Sequence, residues 1–271
     1  MLLCIDVGNT HVSLGLYPES DPAADPSSLA PEPEQRWRMR TDTRSTTDEL
    51  ELAVAGLLGK HFDEVTAVAA LSTVPGPSRE LRGLLSRWSG RMRTLVVGPG
   101  VRTGVPLLVD QPREVGADRV VNSLAAHHLF GTTCISVDLG TCTNIDVVSA
   151  RGEFLGGALA PGIEIAMQAL AEQASALRPV DLVPPRSVIG RTTVESLQAG
   201  VLFGAAGQVD GLVRRIIAEL GPDALPVTVP VTGGLAELVH GRADTVTHHV
   251  PDLTLHGLRL THLRHHRPRA A

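Results

Sequence analysis

The stretch Ile5-Asp6-Val7-Gly8-Asn9-Thr10 decides the fold, because its pattern returns later in the chain as Val137-Asp138-Leu139-Gly140-Thr141-Cys142. Each copy is an apolar run that ends in Asp, an apolar residue, Gly and a small polar residue, and each continues into sequence typical of a hairpin. Asp-x-Gly by itself is a common exit from a strand before a turn. Two copies followed by the same order of predicted strands favour a duplicated domain with a cleft between the copies.

Hydrophobic periodicity predicts an α/β chain around the two copies. The helix signal is clearest at Thr46-Thr47-Asp48-Glu49-Leu50, where acids occupy the first turn of an apolar helical stretch. Residues 18–35 are rich in Pro, Ser, Asp and Glu and are predicted to form an exposed loop. We predict strands at 2–7, 11–17, 36–42, 65–73, 94–97, 133–138, 144–148, 153–159 and 227–232, and helices at 46–59, 77–88, 120–130, 162–176 and 193–219.

Composition excludes several classes of protein. The chain has 271 residues, of which 43% are hydrophobic and only 3% aromatic, so its core is built from Ala, Val, Leu and Ile. Its net charge is −5 and its only basic concentration is a short His- and Arg-rich tail, Arg264 to Arg269, so we expect no nucleic-acid partner. We expect this end of the chain, which includes His262, His265 and His266, to be solvated and partly disordered. The N-terminus lacks a basic region and no run of 18 apolar residues exists, so we expect neither a signal peptide nor a membrane span. The three cysteines lack disulfide or metal-ligand spacing, and we expect a reduced, cytoplasmic setting.

The lysine content excludes two further classes of enzyme. Lys60 is the one lysine of the chain, and it follows a predicted helix rather than a Gly-rich loop. A P-loop kinase needs a lysine in its phosphate cradle, and a pyridoxal enzyme needs one for its Schiff base. The sequence therefore excludes both classes.

Phosphoryl transfer remains possible because tight turns can replace a lysine cradle. Glycine lets the backbone approach a phosphate, and its neighbours offer N–H groups and hydroxyls. Gly8-Asn9-Thr10, Gly140-Thr141 and Gly233-Gly234 are three such turns, and together they point to a bound nucleotide. Asp6 and Asp138, at the ends of the two repeated strands, are placed to hold hydrated cations.

Asp118 lies in Gly116-Ala117-Asp118-Arg119, at the predicted start of an apolar helix. An acid at this place is commonly a cap or a first-turn residue paired with the neighbouring arginine. It is also placed to act as a general base toward an attacking hydroxyl, with Arg119 binding an acidic group of the substrate. The local sequence alone favours the capping role.

Nine segments of the chain form a recognisable series: Asp6 to Thr10, Thr46-x-Asp48-Glu49-Leu50, Gly98 to Val101, Pro112 to Arg119, Val137 to Thr141, Gly156 to Gly162, Ile189 to Thr193, Gln198-x-Gly200 and Thr232 to Gly234. In their order and spacing these segments resemble the type III pantothenate kinases, from residue 1 to about residue 260. The resemblance implies an α/β fold of duplicated ribonuclease-H-like (actin-like ATPase) domains, each with a mixed central sheet flanked by helices, with a cleft between residues 1–115 and 116–271.

The resemblance implies that ATP phosphorylates pantothenate to 4′-phosphopantothenate, the first step toward coenzyme A. Asp118 would be the base for the primary hydroxyl of pantothenate. Asp138 would help hold a potassium or ammonium ion, magnesium would accompany the nucleotide with Asp6 as a candidate ligand, and the enzyme would be a homodimer with pantothenate near the subunit interface. The ATP-binding set comprises Asp6, Val7, Gly8, Asn9, Thr10, His11, Val12, Ser13, Thr141, Gly233 and Gly234, and the pantothenate set Val109, Gly116, Ala117, Asp118, Arg119 and Thr193.

Several positions depart from the family pattern. Val109 stands where the family usually has a tyrosine of the substrate pocket, and His11 where it usually has asparagine. Gly140-Thr141-Cys142-Thr143-Asn144-Ile145-Asp146 replaces the usual Gly-Thr-Ala-Thr-Thr-Phe-Asp, and Arg191-Thr192 replaces Lys-Asn. These changes leave two alternatives: a kinase of the same fold for another small hydroxylated acid, or a non-catalytic regulatory member. The proposed base and the phosphate turns are intact, which argues against the second.

Overall fold

The computed structural model describes residues 1–19, 31–174 and 177–266. By its internal contacts the chain divides into two compact units. Unit 1 comprises Met1–Val105, Asp110–Ala125 and the chain from Asp252 onward, and unit 2 comprises Pro106–Val109 and Ala126–Pro251. The last helix therefore belongs with the first unit, and the sequence boundary between residues 115 and 116 stays a prediction.

The secondary structure follows the predicted order. The strands are β1 Leu2–Val7, β2 His11–Tyr17, β3 Gln35–Arg40, β4 Ala67–Ser72, β5 Arg93–Val96, β6 Thr133–Leu139, β7 Cys142–Val148, β8 Phe154–Pro161, β9 Val227–Thr228, β10 Pro230–Thr232 and β11 His248–His249. The helices are α1 Thr47–Leu58, α2 Pro75–Trp88, α3 Ala117–Phe130, α4 Ile163–Gln173, α5 Thr193–Leu220, α6 Ala236–Val239 and α7 Leu253–His265.

The two sheets have the same topology. In unit 1 the strand order is β3-β2-β1-β4-β5, and in unit 2 it is β8-β7-β6-β10-β11, with the short β9 also paired to β6. In both sheets the first three strands of this order are antiparallel to one another. The fourth strand pairs in parallel with the third, and the fifth pairs in parallel with the fourth. The fold is therefore the duplicated α/β arrangement predicted from the repeated strand exits.

Sheet 1 is covered by helices on both faces. The side chains that alternate along β1 and β2 divide between two clusters. On one face, Leu3, Ile5, Val12 and Leu14 pack with α1 and α2. On the other face, β1 and β4 pack with Val121 of α3 and with Leu255 and Leu258 of α7. Further members of the first cluster are Val7, Leu16, Leu50, Val54, Leu81, Leu84 and Trp88, and further members of the second are Leu2, Cys4, Tyr17, Ala67, Ala69 and Leu71.

Sheet 2 is covered in the same way. On one face, β6 and β7 contribute Val137, Leu139 and Ile145 to a cluster with α4, α5 and α6. On the other face, Cys134 and Val148 pack with the later part of α3. Each unit thus has its own three-layer core.

Helix starts agree with their sequence signals. Thr46 caps α1 with its side chain accepting from Glu49 N–H, and the Glu49 carboxylate accepts in return from Thr46 N–H, a complete capping box. Thr192 caps α5 by accepting from Glu195 N–H. These caps satisfy N–H groups that the helix itself leaves unbonded.

Three expectations need correction or lie outside the description. The expectation of a solvated His- and Arg-rich end is wrong for His262, because this residue is buried in α7. Residues 267–269 of that end lie outside the described residues. The run 227–232 forms two short strands, because Val229 interrupts the pairing. Of the predicted loop at 18–35, residues 20–30 lie outside the described residues, and Gln35 already begins β3.

Candidate active site

The β1–β2 hairpin forms the first predicted phosphate turn. Asp6 pairs with Ser13 and Val7 with Val12, and Gly8 N–H donates to the carbonyl of His11 at 3.0 Å. Four residues, Gly8 to His11, therefore close the hairpin. This turn is the segment that the sequence assigned to ATP phosphates.

Asp6, His11 and Ser13 lie on one face of sheet 1. Val7 and Val12 pack toward α1 and α2, so the alternating residues of the same strands point to the opposite face. That face is the one covered by α3 and α7. The predicted phosphate-binding side chains thus share a face with the helix that carries Asp118.

Asp118 is the second residue of α3, where the helix dipole favours a negative charge. Its Oδ1 is buried and packs against Gly116, where a Cβ would collide with it. Burial raises the pKa of Asp118, while N–H groups at the helix start and the charge of Arg119 oppose that rise. A carboxylate with a raised pKa is a better proton acceptor than an exposed aspartate, which is the property that a general base needs.

The β6–β7 hairpin in unit 2 forms the second turn. Asp138 pairs with Asn144 and Leu139 with Thr143, so the turn holds Gly140, Thr141 and Cys142, one residue fewer than in the first hairpin. Gly140 N–H donates to the carbonyl of Cys142 at 3.0 Å. The repeated hairpin is therefore present in both units with slightly different lengths.

Gly233 brings the third turn directly against Asp138. It follows β10, whose Thr232 pairs with Asp138, and it has a φ of +96°. A Cβ at this position would lie 2.5 Å from Asp138 Oδ1 and 2.5 Å from the carbonyl oxygen of Leu139. Only a glycine fits, so the backbone approaches the carboxylate as a cradle for a small ligand requires. The structure thus brings together Asp138 and Gly233, which the sequence offered separately as candidate site residues.

Two predicted substrate residues, Val109 and Thr193, lie in unit 2. Val109 packs beside Gly156 of β8, 3.7 Å from where a Cβ of that glycine would be. Thr193 is the first residue of α5 and is exposed. Within the described residues, no group of three or more His, Cys, Asp or Glu side chains forms a ready metal site.

Comparison with known proteins places this arrangement in a family. The family model described as type III pantothenate kinase matches residues 2–215. A protein of Saccharopolyspora erythraea named type III pantothenate kinase is 61% identical, over 97% of this chain and 98% of its own length. The chain belongs to the type III pantothenate kinase family.

Other relatives agree. Proteins named type III pantothenate kinase from Rhodococcus jostii and Streptomyces avermitilis are 56% and 48% identical, covering 100% and 97% of this chain and 98% of each relative. Among solved structures, an activator of 2-hydroxyisocaproyl-CoA dehydratase from Clostridium difficile, solved with bound ADPNP, has a TM-score of 0.54 at 12% identity, over 100% and 99% of the two chains. A ROK hexokinase from Thermus thermophilus has a TM-score of 0.52 at 15% identity, over 97% and 98%. These two show the shared fold.

Two residues of this chain that lie near the turns carried no site signal in the sequence. Gly162, noted only as part of a motif and as a helix start, packs so tightly on the second turn that a Cβ would collide with the carbonyls of Gly140 and Thr141. Thr41, just after β3, hydrogen-bonds to the first turn. Their partners are distant in sequence, so only a matched motif could have drawn attention to them.

One departure from the family pattern, Asn144, adjoins a predicted site residue. It is the cross-strand partner of Asp138, the predicted cation ligand. Directly opposed side chains of an antiparallel pair lie within interaction distance of each other. Among the departures, Asn144 is therefore well placed to influence the Asp138 carboxylate.

Proposed function

We propose that this protein transfers the terminal phosphate of ATP to the primary hydroxyl of pantothenate. Two findings support it: the membership of the family along nearly the whole chain, and the half-buried Asp118, whose Oδ1 is fully buried, on the face of sheet 1 that carries Asp6 and Ser13. Phosphoryl transfer asks a protein mainly to position groups and neutralise charge, and a base of raised pKa completes that requirement. Asp118, with its buried Oδ1, carries the proposal.

Each part of the chain then has a role. The turn from Asp6 to Ser13 binds the ATP phosphates through backbone N–H groups and hydroxyls, together with Thr141 and the turn Gly233-Gly234. Gly116 to Arg119, with Val109 and Thr193, bind pantothenate, and the Arg119 guanidinium pairs with its carboxylate. Asp118 accepts the proton of the primary hydroxyl as that oxygen attacks the terminal phosphorus, and the leaving group is ADP.

Cations complete the proposed site. The half-buried carboxylate of Asp138, held close to the Gly233 backbone, has the oxygen chemistry that suits a potassium or ammonium ion. Magnesium enters with the nucleotide. Asp6, near the end of β1 that leads into the first phosphate turn, is its candidate ligand. These ions neutralise phosphate charge in a chain whose only lysine is Lys60.

We place the protein in the cytoplasm as a homodimer. All three cysteines are free, as in a reducing compartment, and no described helix is both long and apolar enough to cross a membrane. Unit 2 exposes an apolar face around α4 and the start of α5, with a groove of about 440 Å³ between the two helices. Its exposed large side chains are Leu159, Ile165, Leu170, Val183, Val188, Ile189 and Val194. An apolar face of this kind favours a subunit contact, and the exposed Thr193 lies beside it.

A mutational assay tests the proposed reaction. Purified protein is incubated with ATP, magnesium and potassium, with and without pantothenate, and the phosphorylated product is identified by mass spectrometry. Asp118→Asn should lower kcat about 100-fold or more. Asp48→Asn is the matched control, because Asp48 is also the second residue of its helix but is exposed, and it should leave kcat unchanged.

The outcomes separate the alternatives. ADP formation that requires a different hydroxylated acid from a substrate panel would favour a kinase of changed specificity, as Val109 and Asn144 allow. Absence of any acceptor-dependent turnover would favour a non-catalytic member. A kcat of Asp118→Asn within threefold of the parent would remove Asp118 from its role.

A further inference from the structure

The first phosphate turn is held from outside by Thr41, the residue that follows β3. Thr41 Oγ1 donates to the carbonyl oxygen of Gly8 at 2.7 Å, and Thr41 N–H donates to the carbonyl oxygen of Thr10 at 3.0 Å. One residue of the neighbouring strand therefore binds two carbonyls of a four-residue turn.

These two hydrogen bonds fix the direction of the turn's N–H groups. In a planar trans peptide, the N–H of a residue points opposite to the preceding carbonyl. Holding the Gly8 carbonyl toward Thr41 therefore turns the N–H of Asn9 away from Thr41. A phosphate is bound by N–H groups of just such turns, so their direction decides whether the turn presents donors or acceptors to it.

Arg38, also on β3, holds the last residue of the same turn. Its Nη2 lies 2.9 Å from Nδ1 of His11. A guanidinium has only donors, so Nδ1 must accept and the ring proton of His11 resides on Nε2. Arg38 is the cross-strand partner of Ser13, which places its guanidinium on the same face as Asp6. The contact fixes the His11 tautomer and brings a positive charge to the turn.

We propose that Thr41 and Arg38 are positioning residues that hold the first turn in its phosphate-binding conformation. This inference rests on the proposed function, because it takes the turn from Gly8 to His11 as the phosphate site. Thr41 orients the backbone donors through the Gly8 carbonyl, and Arg38 orients the His11 ring. Neither residue needs to touch the substrate.

Direct nucleotide binding tests Thr41 without reference to pantothenate. Calorimetry with a non-hydrolysable ATP analogue and magnesium is carried out on the full chain, followed by KM measurements for both substrates. Thr41→Val removes only the hydroxyl and keeps the N–H bond to Thr10, and should weaken analogue binding and raise KM for ATP about three- to tenfold, with KM for pantothenate within about twofold. Thr41→Ser restores the hydroxyl and should recover binding to within about twofold.

Thr66→Val is the matched control. Thr66 Oγ1 also lies within hydrogen-bond distance of a backbone carbonyl, that of Met1 at 3.2 Å, beside the opposite end of β1, and it has the Glu19 carboxylate as a further acceptor. It should leave analogue binding unchanged. Parental binding by Thr41→Val, or equal losses in Thr41→Val and Thr66→Val, would overturn the proposal. So would equal effects on the KM values of both substrates.

A double-mutant cycle tests Arg38. Arg38→Gln should weaken analogue binding several-fold in the parent but have little effect in the His11→Asn background, because its action passes through the imidazole. Arg40→Gln removes the same charge from the same face of β3 and should change binding at most about twofold. An Arg38→Gln effect of equal size in both backgrounds would overturn the positioning role.

The two hypotheses fail in different ways. Analogue binding without phosphorylation of pantothenate defeats the proposed reaction and leaves the role of β3 intact. Phosphorylation that is insensitive to Thr41→Val and Arg38→Gln defeats the role of β3 alone. Absence of nucleotide binding by the parent protein defeats both.

Discussion

Replacement of Gly233 by alanine measures how tightly the third turn is packed on Asp138. The residue has a φ of +96°, and an added Cβ would lie 2.5 Å from both Asp138 Oδ1 and the Leu139 carbonyl oxygen. The Leu139 oxygen is backbone at the end of β6, and it also accepts from Leu235 N–H at 3.1 Å, so it has little room to yield. The substitution must therefore move β6, the turn or both.

Two costs contribute to the expected loss. A positive φ costs alanine about 1–2 kcal/mol. Overpacking against the β6 oxygens adds about 1–3 kcal/mol. The sum is about 2–5 kcal/mol in the free energy of unfolding, of which only the second part reports the contact with Asp138 and Leu139.

Gly241 provides the control, because it has a φ of +77° but no atom within 4 Å of an added Cβ. Gly241→Ala should cost about 1–2 kcal/mol, so the difference between the variants isolates the close contact. Urea unfolding followed by far-UV circular dichroism measures both losses. Gly233→Ala should also raise the potassium concentration required for half-maximal activity. A loss within about 0.5 kcal/mol of that of Gly241→Ala would refute the reasoning.

Three further outcomes follow from charged groups. Burial raises the pKa of Asp118, so the folded protein favours the protonated carboxyl. The stability that this preference contributes is present at acid pH and is lost as pH rises through the raised pKa. Asp118→Asn should therefore raise the melting temperature at pH 8 in calorimetry, and a fall would support the capping role instead. Asp138→Asn should increase the potassium or ammonium concentration needed for half-maximal activity, and an unchanged cation dependence would contradict its assignment. Burial, with the nearby charges of His266 and Arg93, lowers the pKa of His262 to about 4. The free energy of unfolding should therefore fall by up to about 3 kcal/mol as pH drops from 6.5 to 4. In urea titrations, His262→Gln should reduce this dependence of the unfolding free energy on pH, and an unchanged dependence would contradict the assignment.

Local patterns predicted most of the elements that build the two sheets. The strand exits at Asp6 and Asp138 are encoded by a buried run followed by glycine, and α5 is predicted as 193–219 against an observed Thr193–Leu220. The start of α1 is encoded by the reciprocal contacts of Thr46 and Glu49. Such signals are readable because the interacting residues are only a few positions apart.

Helix α7 shows where local reading stops. Every residue from Leu255 to His262 is buried, including His256, Arg259 and His262. An amphipathic helix is recognised in a sequence by its apolar stripe. A helix that is buried on all sides and contains basic residues has no such stripe. The His- and Arg-rich composition pointed to solvent, whereas the fold places these side chains against sheet 1.

The amino-acid order alone determined the duplication, the succession of strands along the chain and the residues offered for phosphate and proton chemistry, because each depends on neighbours in the chain. The tertiary structure decided that α7 packs with the first unit, where Gly257 lies so close to the carbonyl of Val121 in α3 that no side chain fits. It also decided that Thr41 binds the Gly8 carbonyl across 33 positions and that Gly233 touches Asp138. Contacts between residues that far apart depend on the packing of whole elements and leave no periodic trace in the sequence.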